Sequence, residues 1–116
     1  MTAPLVKLAN AILFSAIKKS AEEFRIRPDG VVEFLINGET KEEMQLPADL
    51  YAHVIRRMSV MASLPVYPKG DCAFGRFNLL VGKLSYYFEV VVRGHGPDLT
   101  LRGRVITDAE FSGPYR

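Results

Sequence analysis

The sequence contains one cysteine, no tryptophan and two histidines among its 116 residues. A single cysteine excludes an internal disulfide and is compatible with a reducing compartment. Two histidines beside one cysteine are too few for a convincing zinc site. His53 and His95 are therefore interpreted as surface-helix and turn residues, and Cys72 as a thiol without a catalytic role. We expect no metal, no cofactor and no catalytic residue.

Long apolar runs, strong charge of one sign and a phosphate-binding glycine loop are also absent. No stretch approaches the eighteen or so apolar residues that a membrane span needs, and the N-terminal apolar stretch is interrupted by Lys7, Asn10, Lys18 and Lys19. A net charge of +2 is too small to indicate nucleic acid or a membrane surface as partner. No G-x-x-x-x-G-K-[ST] motif occurs. We expect a cytoplasmic protein without membrane insertion or nucleic-acid binding.

Two segments, residues 4–24 and 48–63, have helical periodicity. The stripe of the first consists of Leu5, Leu8, Ala9, Ile12, Leu13, Ala16 and Ile17. The stripe of the second consists of Leu50, Val54, Ile55, Met58, Met61 and Ala62. Packing on a sheet explains the first stripe, and a docked partner helix is the alternative. Met58 and Met61 are interpreted as core, with an adaptable binding patch as the alternative.

The remaining chain has the two-residue period of strands. Asp29-Gly30 and Asn37-Gly38 are turn signals that predict a hairpin over residues 24–37. Polar residues 39–43 are predicted to be an exposed excursion and residues 64–74 to be irregular. Strands are predicted at residues 75–80, 84–93 and 99–105. The order α-β-β-α-β-β-β defines an α+β domain: a mostly antiparallel sheet of about five strands with two main helices on one face. Residues 1–106 form this single domain, and residues 107–116 are expected to be a frayed tail.

Basic residues occur in pairs along the predicted strands. Arg25 and Arg27 point the same way, as do Arg102 and Arg104, because side chains alternate along a strand. A solvated sheet face with acidic partners explains these pairs. An anion site is the alternative, since guanidinium groups suit phosphate and carboxylate.

Several segments in this order resemble one protein family. Residues 16–28 read Ala-Ile-Lys-Lys-Ser-Ala-Glu-Glu-Phe-Arg-Ile-Arg-Pro, and residues 57–64 read Arg-Met-Ser-Val-Met-Ala-Ser-Leu. Ten residues then precede Gly75-Arg76, and Gly82-Lys83 follows. This arrangement resembles the N-terminal, N2-type domain beside the motor of the type II secretion and type IV pilus assembly ATPases. The resemblance implies a PAS-like sheet-and-helix domain and a setting in bacterial secretion or pilus machinery, without the RecA-like motor domain.

The resemblance also suggests which residues face a partner. Two arginines of the family's domain reach nucleotide phosphates that the motor domain holds. Arg76 matches the first, but Glu89 stands at the second position, where its charge would repel phosphate. ATP hydrolysis is therefore not carried over. The residues predicted to take part in an interaction are Arg76, Arg57, Tyr87 and Glu89.

Two kinds of function fit these features. The first is a non-catalytic interaction or regulatory module that binds a protein, either a secretion or pilus ATPase or another copy of itself. The second is a PAS-like sensor whose pocket binds a small ligand or a nucleotide. Tyr86, Tyr87 and Phe88 would supply interface anchors in the first case and pocket walls in the second. An enzyme is not expected.

Overall fold

The computed structural model describes residues 3–64, 72–94 and 98–113. Two long helices, a short third helix and six strands alternate along the chain. In order they are α1 (Ala3–Lys18), β1 (Glu23–Ile26), β2 (Val31–Ile36), β3 (Glu39–Gln45), α2 (Tyr51–Met61), β4 (Cys72–Val81), β5 (Leu84–Arg93), β6 (Thr100–Ile106) and α3 (Asp108–Ser112). The α+β class is confirmed, with one strand more than the approximately five predicted.

All six strands form one antiparallel sheet in the order β3-β2-β1-β6-β5-β4. The order along the chain is thus α-β-β-β-α-β-β-β, because the predicted polar excursion at 39–43 is strand β3. Asn37 and Gly38 both have positive φ, as a tight turn between β2 and β3 requires. This turn places β3 beside β2 although most of β3 is exposed.

Both long helices end earlier than the sequence pattern predicts. The helix expected to reach residue 24 stops at Lys18, because Ser20 adopts a left-handed conformation with φ of 54°. Ala21 N–H then donates to the carbonyl of Ala16, and Ser20 N–H to that of Ile17. This bonding satisfies terminal carbonyls in the manner of a Schellman motif. The chain therefore turns into β1, and Phe24 is a strand residue rather than a helical one.

The core lies between the two long helices and one face of the sheet, which we call the inner face. Ile12 and Leu13 of α1, Val54 and Met58 of α2, and the inner-face aromatic residues are almost fully buried. The aromatic residues on this face are Phe24, Phe34, Phe77 and Phe88. Both helical stripes thus pack inward within the domain, and Met58 is core as predicted. Leu5 and Met61 pack at the margin of the same cluster.

Two further predictions differ from the structure. The stretch 64–74 was expected to be irregular, but β4 already begins at Cys72 and extends the hairpin with β5 to ten residues in each strand. The segment expected to fray from residue 107 contains helix α3. His95, the predicted turn at 95–97 and the predicted irregular residues 65–71 lie outside the described residues.

Candidate interaction site

The outer face of the sheet carries the polar chemistry of the domain. The outer-face residues of each strand alternate with its core residues. They lie opposite one another on neighbouring strands because the strand pairs are antiparallel and in register. One row runs from β4 through β5 and β6 to β1 and contains Arg76, Glu89, Arg104 and Glu23. Charges alternate in sign along this row, so each carboxylate has an arginine beside it.

Glu89 is the centre of an ion-pair network in this row. Arg76 Nε donates to Glu89 Oε2 at 2.9 Å, and Arg104 Nε donates to Glu89 Oε1 at 3.1 Å. Arg76 Nη1 also donates to the carbonyl of Gly113 at 2.6 Å. The Arg76 side chain is only 7% exposed and that of Glu89 18%, whereas Arg104 is 43% exposed. The Arg76–Glu89 pair is therefore shielded from solvent and holds the C-terminal segment to the sheet.

The environment of Glu89 favours its charged form. Partial burial acts to raise the pKa of this carboxyl, but the hydrogen bonds and charges of Arg76 and Arg104 outweigh it. The pKa of Glu89 therefore lies below its ordinary value. The pKa of Glu110 is lowered as well, chiefly by the hydrogen bond from the Thr107 backbone N–H. Both carboxylates are ionised at neutral pH, as the network requires.

Helix α3 covers this part of the outer face. Thr107 and Glu110 form a capping box: Glu110 N–H donates to Thr107 Oγ1 at 3.1 Å, and Thr107 N–H donates to Glu110 Oε1 at 3.0 Å. Glu110 also pairs with Arg104 at 3.3 Å. Phe111 packs on Tyr87 of β5 with ring centroids 4.8 Å apart. The capped helix is thus attached to the sheet by one aromatic contact and two ion-paired arginines.

The structure brings three of the four predicted interaction residues together. Arg76 and Glu89 are direct cross-strand partners, and Tyr87 precedes Glu89 by two positions on the same outer face. Tyr87 faces outward while Tyr86 and Phe88 face inward, as strand alternation predicts. Arg57 lies apart from them, exposed on α2 in the helix layer. All three residues are partly buried, because Phe111 packs on Tyr87, and Arg76 pairs with Glu89 and donates to the carbonyl of Gly113.

Sequence reasoning missed Arg104 as a member of the network and all of α3. The sequence does contain a signal for α3, since Thr107-Asp108-Ala109-Glu110 has the spacing of a capping box. Nothing local in the sequence shows that Arg104 faces Glu89, because that contact depends on the register of β5 and β6.

The two edges of the sheet differ in charge. Edge strand β3 carries Glu39, Lys41, Glu42 and Glu43. Edge strand β4 spans ten residues and carries one charged residue, Arg76, whose side chain turns onto the outer face. At the tip of the β4–β5 hairpin, Leu80 is 65% exposed and Leu84 is 62% exposed. Charged residues on an edge strand discourage pairing with another chain, so only the β3 edge is protected in this way.

The fold and the outer-face network define a small α+β domain in which one sheet edge, β4, carries a single charged residue. Among the residues described, no group of three or more His, Cys, Asp or Glu side chains could hold a metal ion. No helix in the described part of the chain is long and apolar enough to cross a membrane.

Comparison with curated proteins relates this chain to the type IV pilus and type II secretion ATPases. It is 37% identical over 83 residues to the type IV pilus assembly ATPase PilB of Myxococcus xanthus, which covers 69% of this chain and 15% of PilB. It is 34% identical over 83 residues to type II secretion system protein E of Pseudomonas aeruginosa, covering 69% of this chain and 16% of the relative. The chain is therefore related to these ATPases by partial homology, which confirms the resemblance. No family model matches.

The short length of the match limits which properties of these relatives can be assigned to this chain. The chain spans about 15% to 16% of the length of these two relatives, a small portion outside their motor. Two solved structures share the fold. The pilus retraction motor PilT superposes with a TM-score of 0.60 and is 13% identical over 84% of this chain. The Legionella pneumophila ATPase DotB superposes with a TM-score of 0.61 and is 13% identical over 90% of this chain. The chain covers 28% and 32% of those two structures.

Proposed function

We propose that this chain is a non-catalytic interaction or regulatory module that binds a protein partner in the bacterial cytoplasm. The partner is a type IV pilus assembly or type II secretion ATPase, or a second copy of this chain. The observation that carries the proposal is the β4 edge, whose one charged residue, Arg76, is ion-paired on the outer face, together with the exposed apolar side chains Leu80 and Leu84 at the hairpin tip. An unprotected edge strand offers backbone N–H and C=O groups to an added strand, and apolar side chains beside it supply contact area.

The homology supports the choice of partner class. One relative is named as a type IV pilus assembly ATPase and the other as type II secretion system protein E, and the portion matched is a small one outside their motor. A portion of a larger protein packs against other parts of that protein. A domain related to such a portion of an ATPase would therefore have a surface suited to the same contacts. A chain of this kind would bind the ATPase or itself and alter assembly without performing chemistry.

The predicted interaction residues enter this proposal in different ways. Arg76 lies on β4, and its contact with Gly113 connects the edge strand to α3. Glu89 and Tyr87 support the same outer-face packing from β5. We therefore propose that these three residues shape the interface by fixing β4 and α3. Arg57 is exposed on α2 and stays a predicted direct contact.

A small-ligand sensor is the alternative function. Ligand pockets are usually concave and largely apolar, yet the space between helices and sheet is filled by buried side chains such as Phe24, Phe34 and Phe88. A sensor built on the described residues would have to use the outer face. An open cavity of about 540 Å³ lies there beside α3, lined by Arg76, Glu89, Arg104 and Glu110 among others.

The interaction is tested with purified proteins. The chain is titrated by calorimetry into the pilus assembly or type II secretion ATPase of the same organism, and its self-association is measured by sedimentation velocity. Leu80→Lys and Leu84→Lys should each weaken the association roughly tenfold, because a charge enters an apolar contact. Phe14→Lys is the matched control, since Phe14 is 42% exposed on α1, whereas α2 is the helix that packs near β4.

Two results would contradict the proposal. The first is the absence of both ATPase binding and self-association at concentrations up to about 1 mM, which corresponds to a free energy weaker than about 4 kcal/mol. The second is full binding by both edge variants, which would show that the partner uses another surface. Arg57→Ala tests that other surface on α2 directly.

A further inference from the structure

A second open cavity on the outer face has an unusual charge composition. It has a volume of about 390 Å³, and among the described residues it is lined by four arginine side chains and by no acidic one. The arginines are Arg25, Arg27, Arg93 and Arg102. Val91 and Thr100 lie among them in the lining.

Strand register brings these arginines together. Arg25 of β1 is directly opposite Arg102 of β6, and Arg102 is opposite Val91 of β5. Arg93 lies two positions beyond Val91 and opposite Thr100. Like charges directly opposite each other in an antiparallel pair are destabilising. The Arg25–Arg102 pair is therefore unfavourable by itself, and Glu33, which lies opposite Arg25 on β2, and Glu23, which contacts Arg102, offset part of the repulsion. A bound anion would offset the rest.

Acidic neighbours neutralise only part of this charge. Arg27 pairs with Asp29 at 2.6 Å, Glu33 at 3.4 Å and Glu42 at 3.5 Å. Arg102 has a single long contact, with Glu23 at 3.4 Å. Within the described part of the chain, no ion pair joins Arg25 or Arg93 to a carboxylate.

We propose that Arg25, Arg93 and Arg102 bind the phosphate group of a small phosphate monoester. Guanidinium groups match phosphate oxygens with two parallel N–H bonds each. Val91 adds an apolar side chain to the lining, and Arg27, which is already ion-paired, is the fourth arginine there. A cavity of about 390 Å³ exceeds the size of a phosphate ion, so it accommodates an attached organic group.

This site differs from the Arg76–Glu89 network. Arg76 and Arg104 donate to Glu89, so their charge is already compensated within the protein. The phosphate site occupies the neighbouring rows of the outer face, where no carboxylate lines the cavity. It does not depend on the proposed protein interaction, and either proposal can fail without the other.

The test is a titration of the whole chain with inorganic phosphate and, separately, with AMP, at constant ionic strength. Binding is followed by calorimetry and by backbone amide NMR shifts. We expect saturable binding of both, with shifts centred on Arg25, Thr100 and Arg102. Arg25→Gln combined with Arg93→Gln should weaken binding about tenfold or more. The control combines Arg56→Gln with Lys7→Gln, which removes the same charge from exposed positions on the helices.

Comparing the two probes shows whether the site recognises the phosphate group alone or also the organic group attached to it. Tighter binding of AMP than of inorganic phosphate supports a monoester whose organic group contacts the cavity. Equal binding supports recognition of the phosphate group alone. The absence of saturable binding for both probes, or an equal loss of binding in the control variant, overturns the proposal.

Discussion

Two glycines on the inner face of the sheet allow neighbouring groups to pack closely against the strand backbone. A Cβ atom added at Gly103 of β6 would lie 2.2 Å from Cζ of Phe24 on the adjacent strand. One added at Gly75 of β4 would lie 2.7 Å from the carbonyl oxygen of Ala62, just past α2. Real side-chain atoms do not approach this closely, because protein cores are already packed to crystal-like density. The Phe24 ring thus occupies the space that a side chain at residue 103 would need.

Gly103→Ala should lower the free energy of unfolding by about 1–3 kcal/mol or more, since overpacking forces side chains and backbone to shift. The measurement is urea unfolding followed by circular dichroism. Phe24→Leu combined with Gly103→Ala should be less destabilised than the sum of the two single changes, because the smaller side chain makes room for the methyl group. Strict additivity of the two changes would show that the ring does not oppose the new side chain.

At the scale of elements, the sequence pattern predicts the helices and strands that bury an apolar face. Alternation identifies β2 and β5, and the three- to four-residue period identifies both long helices. Strand β3 was missed because an exposed edge strand needs no apolar alternation, and its pairing follows from the Asn37-Gly38 turn. Helix α3 was missed because five residues are too few to show a period. Arg76, Tyr87 and Glu89 could be placed near each other from the hairpin alone, whereas Arg104 required the register of β6.

The attachment of α3 to the sheet should depend on pH through Glu89. The folded-state pKa of this carboxyl is lowered, so its stabilisation is fully present above the unfolded-state pKa of about 4.3. That stabilisation is lost as the pH falls through the lower, folded-state pKa. Glu89→Gln should therefore cost about 1–2 kcal/mol of unfolding free energy at pH 7. The difference from the unsubstituted protein should shrink as the pH falls below about 4.3.

Urea unfolding at pH 7, 4 and 3 measures this dependence. Glu39→Gln is the control for the loss of one negative charge, since Glu39 is exposed on β3. A cost of Glu89→Gln that stays constant from pH 7 to pH 3 would mean that the ionised carboxylate does not stabilise the fold.

At the scale of the whole molecule, the chain combines the fold of a motor-associated domain with a changed set of charges on its outer face. The resemblance implies two arginines that reach nucleotide phosphates, but one of those positions is Glu89, and the other, Arg76, pairs with it at 2.9 Å. Arg76 also donates to the carbonyl of Gly113, the residue that follows α3. The charge that could contact a nucleotide is therefore neutralised within the domain, and the uncompensated arginines lie in the adjoining rows.

The 116-residue chain should neither hydrolyse ATP nor bind it tightly. Its sequence contains no phosphate-binding glycine loop, and the Glu89 carboxylate opposes an anion at the Arg76 position. Calorimetric titration with ATP and magnesium should give a dissociation constant well above the micromolar range, because an open arginine cavity on the surface attracts phosphate without enclosing it. A complete ATPase of the related pilus or secretion class is the positive control. A dissociation constant of about 1 μM or lower, equivalent to about 8 kcal/mol, would contradict the prediction and show that the outer face holds a nucleotide despite Glu89.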